Sequence, residues 1–331
     1  MPLINRCGGG GGTPQLCGQV ENFKVVIPGN NSLKLTWTAP SPDEDNSFVG
    51  ARIVRKTGSA PTGINDGTVV YEGTALTYTD TGLTAGTTYY YRAFAYNAKK
   101  KYQTAYRVAS LTAIATRPNF ADNDWDVIIH ACHLGNVPDT WVAGDSKTMT
   151  IDGVNYQFDI VGKNHDTYTA GGIAPLTFGL HDCYGTKYPM NSSDSNSTGW
   201  NGSKMRTETL PAIRAKMPEN IQNGIRAVNK LTAASGSNST IKTASDKLFT
   251  FSEMEVYGST SKSHSGEGKQ YDYYKAGNSK VKKVGGTASK WWLRSPLAAS
   301  SSYYFCAVNT DGSITLNNAS NSDGVCFGFC F

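Results

Sequence analysis

Trp291-Trp292-Leu293-Arg294-Ser295-Pro296 opens a stretch that closes on Gly324-Val325-Cys326-Phe327-Gly328-Phe329-Cys330-Phe331. The two ends are bulky and apolar, whereas the residues between them are small, hydroxyl, amide and Tyr types. From Leu297 to Phe331 there is no Lys, Glu, Gln, Met or Trp. Those five types are the ones that a codon ending in a pyrimidine cannot encode. Tyr, Ser, Asn, Asp, Thr, Ala, Leu and Cys are all within reach of such codons. The pattern reads as a fixed frame around a contact surface that varies at the codon level.

These residues carry a resemblance. WWLRSP, Asp311-Gly312 and GVCFGFCF resemble the signature of the variable proteins of diversity-generating retroelements, which have a C-type-lectin-like fold. The likeness extends through Trp141-Val142-Ala143-Gly144-Asp145, Gly162 to Asp166, Met190-Asn191, Gly199-Trp200, Met205-Arg206, Asp246 to Phe249 and Gln270 to Tyr274. It implies that a reverse transcriptase rewrites Asn codons at chosen surface sites, so that the protein follows a changing target. The fold expected is α+β: a fibronectin type III-like β-sandwich followed by a C-type-lectin-like domain with short helices.

Composition sets the bounds. At 331 residues, with 39% apolar and 17% charged, the chain is long enough for two globular domains. Abundant Gly, Tyr, Thr and Ser favour strands and ordered loops over helical bundles. The net charge of +5 is modest, and its Lys clusters, Lys99 to Lys101 and Lys280 to Lys283, lack interleaved aromatics, so nucleic acid is not an expected partner. No apolar run reaches the ~18 residues of a membrane span, and the amino terminus shows no basic-then-apolar signal pattern. Membrane insertion and signal-dependent secretion are therefore not expected.

Residues 1–18 read as a Gly-rich leader that cannot pack a core by itself. Residues 19–118 read as an all-β module. Leu33 to Trp37 alternates, and Ala51 to Val54, Val69 to Tyr71 and Tyr89 to Ala95 follow with turn residues between them. Leu83-Thr84-Ala85-Gly86-Thr87-Thr88-Tyr89 resembles the corner of fibronectin type III domains, where a Tyr hydroxyl bonds back to the turn backbone, and Trp37 would be the core tryptophan. Such a module is a spacer or, alternatively, binds through its loops. Arg117-Pro118-Asn119 marks a boundary, giving residues 119–331 to the second domain.

Within that domain, Trp125 to His133 fits a strand or a short helix, and Asp152-Gly153 joins a hairpin. Met205 to Val228 recurs at three- and four-residue steps, with Pro211 in a first turn and Pro218 between two helices. Ser259 to Lys269 reads as polar and flexible.

No metal, cofactor or catalytic residue is assigned. His130 and His133 lie one helical turn apart but lack a Glu between them and a third ligand. His165-Asp166 with Cys132 or Cys183 lacks an orienting third group and reads as a structural turn. The seven cysteines form no CxxC pairs and read as buried thiols, with a bridge from Cys306 to Cys326 or Cys330 left open. No Glu-Pro-Asn or Trp-Asn-Asp string for calcium-dependent sugar binding is present.

The expected ligand-binding surface is Ala298, Ala299, Ser300, Ser302, Tyr303, Tyr304, Ala307, Asn309, Thr310, Thr315, Leu316 and Asn317. Tyr supplies broad contact for few frozen torsions, and Ser and Asn supply adaptable hydrogen bonds. Tyr303 and Tyr304 are the expected anchors, while Phe305, Val308 and Ile314 point inward. The expected function is non-enzymatic binding of a host-surface protein or glycan by a phage tail component, assembled in the bacterial cytoplasm, with other virion proteins and copies of itself as the further partners considered. A bacterial surface or secreted adhesin, and an oxidase or hydrolase on a formylglycine-generating-enzyme-like fold, are the alternatives.

Overall fold

The computed structural model describes residues 18–28, 31–40, 48–104, 109–299 and 303–331. Of the leader only Gly18 is among them, so Cys7 and Cys17 lie outside the described residues. The chain is mostly β-sheet with a few short helices, and it divides into two compact units, Met1–Thr140 and Trp141–Phe331.

In the first unit, strands β1 (Glu21–Val26), β2 (Leu33–Thr38) and β5 (Thr77–Asp80) form one antiparallel sheet. Strands β3 (Gly50–Thr57), β4 (Thr68–Gly73), β6 (Thr88–Tyr96) and β7 (Ala109–Ile114) form another, in the order β4-β3-β6-β7. Alternation does the sorting: Leu33, Leu35 and Trp37 are buried while Lys34 and Thr38 are exposed. The Trp37 ring meets Phe23 and Tyr71 edge-on, with centroids at 6.1 and 5.5 Å. Tyr89 Oη accepts the Thr84 N–H at 3.0 Å, tying the corner to β6.

Residues 119–140, which the sequence reading gives to the second domain, group with the first unit. Helix α1 (Trp125–His133) lies against the sandwich: His130 Nδ1 is 3.3 Å from Thr88 Oγ1, and Asn136 Nδ2 donates to Thr112 O at 3.0 Å. Thr140 Oγ1 returns to Pro118 O at 2.9 Å, closing the segment on itself.

The second unit contains β8 (Ser146–Ile151), β9 (Val154–Lys163), β10 (Leu176–Leu180), β11 (Tyr188–Pro189), β12 (Val228–Ser235), β13 (Asn238–Asp246) and β14 (Phe249–Thr250). It continues with β15 (Lys282–Val284), β16 (Thr287–Ser289), β17 (Trp291–Pro296), β18 (Tyr304–Val308), β19 (Ile314–Asn318), β20 (Ser322–Asp323) and β21 (Phe327–Cys330). Its helices are α2 (Leu210–Arg214), α3 (Glu219–Gly224), α4 (Glu253–Tyr257) and α5 (Asp272–Lys275). Among the described residues no helix is long and apolar enough to cross a membrane.

The main sheet runs β14-β21-β10-β9-β8, all antiparallel. Asp152 and Gly153 turn β8 into β9 with φ of 51° and 77°, the left-handed pair that a two-residue hairpin loop demands. Phe329 packs on Phe158, Phe178 and Phe331 with centroids 5.1 to 5.4 Å apart. Each such buried Phe contributes about 1.5–3 kcal/mol relative to exposure. Gly328 lets the sheet close, since a Cβ there would stand 2.8 Å from Phe178 O.

Two sequence expectations need correction. The helical periodicity ends before Val228, which begins a strand: Pro218 caps α3, Ile225 is already extended, and β12 then pairs with β13. The segment Ser259 to Lys269 is not a loose polar loop. Glu267 is fully buried there, accepting from Ala233 N at 2.8 Å and Thr232 Oγ1 at 3.2 Å.

Candidate binding surface

The frame comes first. Trp291 to Ser295 have no exposed surface. The indole N–H of Trp291 donates to Lys280 O at 2.9 Å and that of Trp292 to Tyr188 O at 2.8 Å. Strand β17 pairs with β18 at Trp291 and Trp292, loses register, and resumes at Pro296 opposite Phe305. The break has a cause. Arg294 N donates instead to Phe251 O at 2.8 Å, and its guanidinium grips Glu255 at 2.5 and 2.8 Å and the carbonyls of Thr250, Leu231 and Glu267.

Glu255 also meets Lys230 Nζ at 2.6 Å, and Lys230 reaches Asp166 Oδ1 and Tyr271 Oη, both at 2.8 Å. Thr177 and Tyr271 hydroxyls donate to Asp166 Oδ2 at 2.6 and 2.7 Å. Two buried cations thus balance two buried carboxylates. Burial alone would raise the Asp166 pKa, but Lys230 and the hydroxyl donors hold it at about 2. Burial works against Glu255 in the same way, and Arg294 and Lys230 lower it. Glu267 is raised, because its burial outweighs the attraction of Arg294. Asp166 is thus committed to Lys230, Thr177 and Tyr271 inside the core.

A loop backs the strand exit. The Glu253 carboxylate accepts N–H groups from Ser261, Lys262 and Ser263 at 2.7 to 3.2 Å. So held, Lys262 O accepts from Ala298 N at 2.7 Å. Leu297 N donates to Tyr304 O at 3.1 Å, and buried Asn196 donates to the same oxygen at 2.8 Å.

On this base Tyr303 is 52% exposed, and its ring stands edge-on to half-buried Tyr304 with centroids 6.4 Å apart. Ala298 and Ala299 are half-buried beside the exit. Ser300 and Ser302 lie outside the described residues. Thr310 is exposed at the tip of the β18-β19 turn and Asn309 is half-buried there, the turn being held by Tyr257 Oη on Gly312 O at 2.8 Å.

Ala307 requires a correction. It is fully buried in the central strand between Trp292 and Thr315, so its side chain offers nothing to a ligand. Phe305 and Val308 are fully buried as expected, whereas Ile314 is half-buried at the strand edge.

The register also divides the remaining candidates. Leu316 pairs with Cys306 and shares its face, whereas Thr315 and Asn317 pair with Ala307 and Phe305 on the other. The twelve positions are thus not one patch. Asn317 is also committed internally, donating to Asp323 at 2.7 Å and accepting from Asn321 at 2.7 Å.

Asp194 was missed by the sequence reading. It receives Asn318 Nδ2 at 2.9 Å and Ser320 N and Oγ at 3.0 and 2.5 Å, which lower its pKa and pin the chain after β19. The run Asn191 to Thr198, rich in residues that bond backbone, was the available signal.

Cys132, Cys183, Cys306, Cys326 and Cys330 are buried free thiols. Burial raises Cys183 and Cys306, and Cys326 to about 11, so these three are not ready nucleophiles. His181 Nδ1 sits 2.8 Å from Asp159, a pairing that raises the imidazole pKa, yet among the described residues no Ser, Thr or Cys side chain bonds to it.

No curated protein matches the chain. Among solved structures, the fn3 domain of human collagen alpha-1(XX) chain is similar at 20% identity, covering 32% of this chain and 94% of that one, with a TM-score of 0.24. The twitchin kinase region from C. elegans is similar at 19% identity, covering 30% of this chain and 17% of that one, with a TM-score of 0.22. The family model described as "Domain of unknown function (DUF6273)" matches residues 177–330, which run from β10 through β21 and contain both the WWLRSP frame and Tyr303.

Proposed function

We propose that the protein is a non-enzymatic binding protein: a fibronectin type III-like spacer followed by a C-type-lectin-like domain that displays a diversified surface around Tyr303. In this reading it is a phage tail receptor-binding component, and its target is a host-surface protein or glycan.

For the spacer, the support is the sorting of seven strands into sheets of three and four, together with the Tyr89 to Thr84 bond at the corner. For the display surface, one observation carries the reading. A strand with no exposed residue from Trp291 to Ser295 leads directly into a segment where Tyr303 stands half in water, free of Lys, Glu and Gln. An aromatic so placed is a fit anchor, since Tyr is enriched among binding hot spots.

The test has two parts. The neighbouring DNA is read for a near-copy of the segment encoding Leu297 to Phe331 that differs chiefly at adenines, beside a reverse-transcriptase gene. Its absence sinks diversification, and tail genes versus surface-anchoring genes around it separate the virion from the adhesin. Binding to intact host cells is then compared for the native chain and Tyr303→Ala. A folded Tyr303→Ala that binds as well as the native chain sinks the assignment of the surface.

A further inference from the structure

A cavity of about 480 Å3 in the second unit lies between the residues after β9, the end of α4 and α5. Its lining includes Lys163, His165, Lys269, Gln270, Asp272 and Lys275, three lysines against one carboxylate. Lys269 and Lys275 are exposed, and among the described residues neither ammonium has an ion pair or hydrogen bond. Among the described residues Asp272 Oδ2 takes only a long contact, 3.5 Å, from the Lys163 backbone N–H.

The walls are preformed. His165 stacks on buried Tyr271 with ring centroids 3.9 Å apart, which covers one imidazole face, and neither ring nitrogen makes a hydrogen bond among the described residues. Gln270 is seated by its Nε2 on Val256 O at 3.2 Å. Gly258, with φ of 73°, leaves room for it, since a Cβ there would stand 2.6 Å from Gln270 Oε1.

Two unpaired ammonium groups on one concavity call for an anion. Asp272 and the Gln270 amide call for something more. Inorganic phosphate keeps its charge and its one or two hydroxyls on a single atom, whereas a sugar acid separates a carboxylate from several hydroxyls spread around one ring, so the charge can lie at the lysines and the hydroxyls at Gln270 and Asp272. The volume suits a small ligand, within the roughly 300–1,000 Å3 of ligand pockets.

We propose that this cavity binds an acidic sugar, with the carboxylate between Lys269 and Lys275 and the ring hydroxyls on Gln270 and Asp272. Charge-assisted hydrogen bonds to the carboxylate supply the anion preference. The site is separate in its residues from the Tyr303 surface and does not depend on that assignment.

The test is calorimetric titration of the full chain at low salt with N-acetylneuraminate, glucuronate, galactose and inorganic phosphate. At least one sugar acid is expected to bind with a dissociation constant on the order of 1 mM, and galactose and phosphate at least roughly tenfold more weakly. The double substitution Lys269→Gln with Lys275→Gln, both at exposed positions, should leave the melting temperature unchanged and weaken the sugar acid by at least roughly tenfold. Tyr303→Ala should leave that affinity unchanged. The proposal is overturned if neither sugar acid binds, if galactose or phosphate binds as tightly, or if the folded double variant retains its affinity.

Discussion

Arg294 and Glu255 face each other through two hydrogen bonds of 2.5 and 2.8 Å, with both side chains essentially out of solvent. Their position explains why β17 breaks register with β18: the strand gives up ladder bonds so that a guanidinium can enter the core. Glu255 is shared with Lys230, so the pair is half of a four-charge arrangement.

Removing both members should therefore cost less than the two single removals added together. Arg294→Met leaves Glu255 with one cation and strips donors from three carbonyls, and the expected loss is about 3–5 kcal/mol. Arg294→Met with Glu255→Met leaves Lys230 and Asp166 paired at 2.8 Å, and should lose less than the sum of the single losses. Urea unfolding of the four members of the cycle measures this, and strict additivity would refute the coupling.

Acid should release the same arrangement in a defined window. Asp166 is held at about 2 in the folded chain against 3.8 unperturbed, so its contribution is complete above about pH 4 and is lost as pH falls toward 2. Glu255, also lowered, acts in the same direction. Glu267 is raised and acts oppositely, favouring the fold below its ordinary value of 4.5 and losing that contribution as pH climbs through its folded value. Glu267→Gln should therefore flatten the decline in stability above pH 4.5 while keeping the acid limb, and Asp166→Asn should remove much of the acid limb. Unfolding midpoints across pH in each variant decide it.

Tyr89→Phe should destabilise the first unit by about 0.5–1.5 kcal/mol, the worth of one hydrogen bond, because only the bond to Thr84 N–H is removed while the ring stays buried. Tyr90→Phe on the neighbouring, half-buried position is the control and should change little. Equal losses at both positions would show that the corner bond carries no special weight.

What could be read from residues alone depended on the range of the interactions. Asp152-Gly153 announces its hairpin because the left-handed φ pair is a local requirement, and Trp37 and Tyr89 announce a buried face by alternation. Trp291 to Ser295 were legible as a frame because such bulk has few places to go but inward. Glu267 was misread because its polarity is satisfied by Ala233 and Thr232, more than thirty residues away. Val228 was misread because its three-residue step from Ile225 continues a helical pattern across a chain that has already become extended. The faces of β19 were hidden for a similar reason, since they follow from pairing with β18 and not from composition.

That register makes the sharpest prediction about the binding surface. Tyr303 and Ala307 were both expected to contact ligand, but one is 52% exposed and the other has no exposed surface. If the segment varies for recognition, the two positions must differ in what they tolerate. Tyr303→Ala, →Asp or →Ser should shift stability by no more than about 0.5 kcal/mol, as surface changes do. Ala307→Leu or →Tyr forces atoms between Trp292 and Thr315 and should cost at least about 1–3 kcal/mol. A library randomised at both codons and selected only for folding, by protease resistance, would keep nearly every residue at Tyr303 and little beyond small residues at Ala307. Equal tolerance at the two would mean that the register of β18 on β17 is wrong, and the division of the surface argued from it would fall as well.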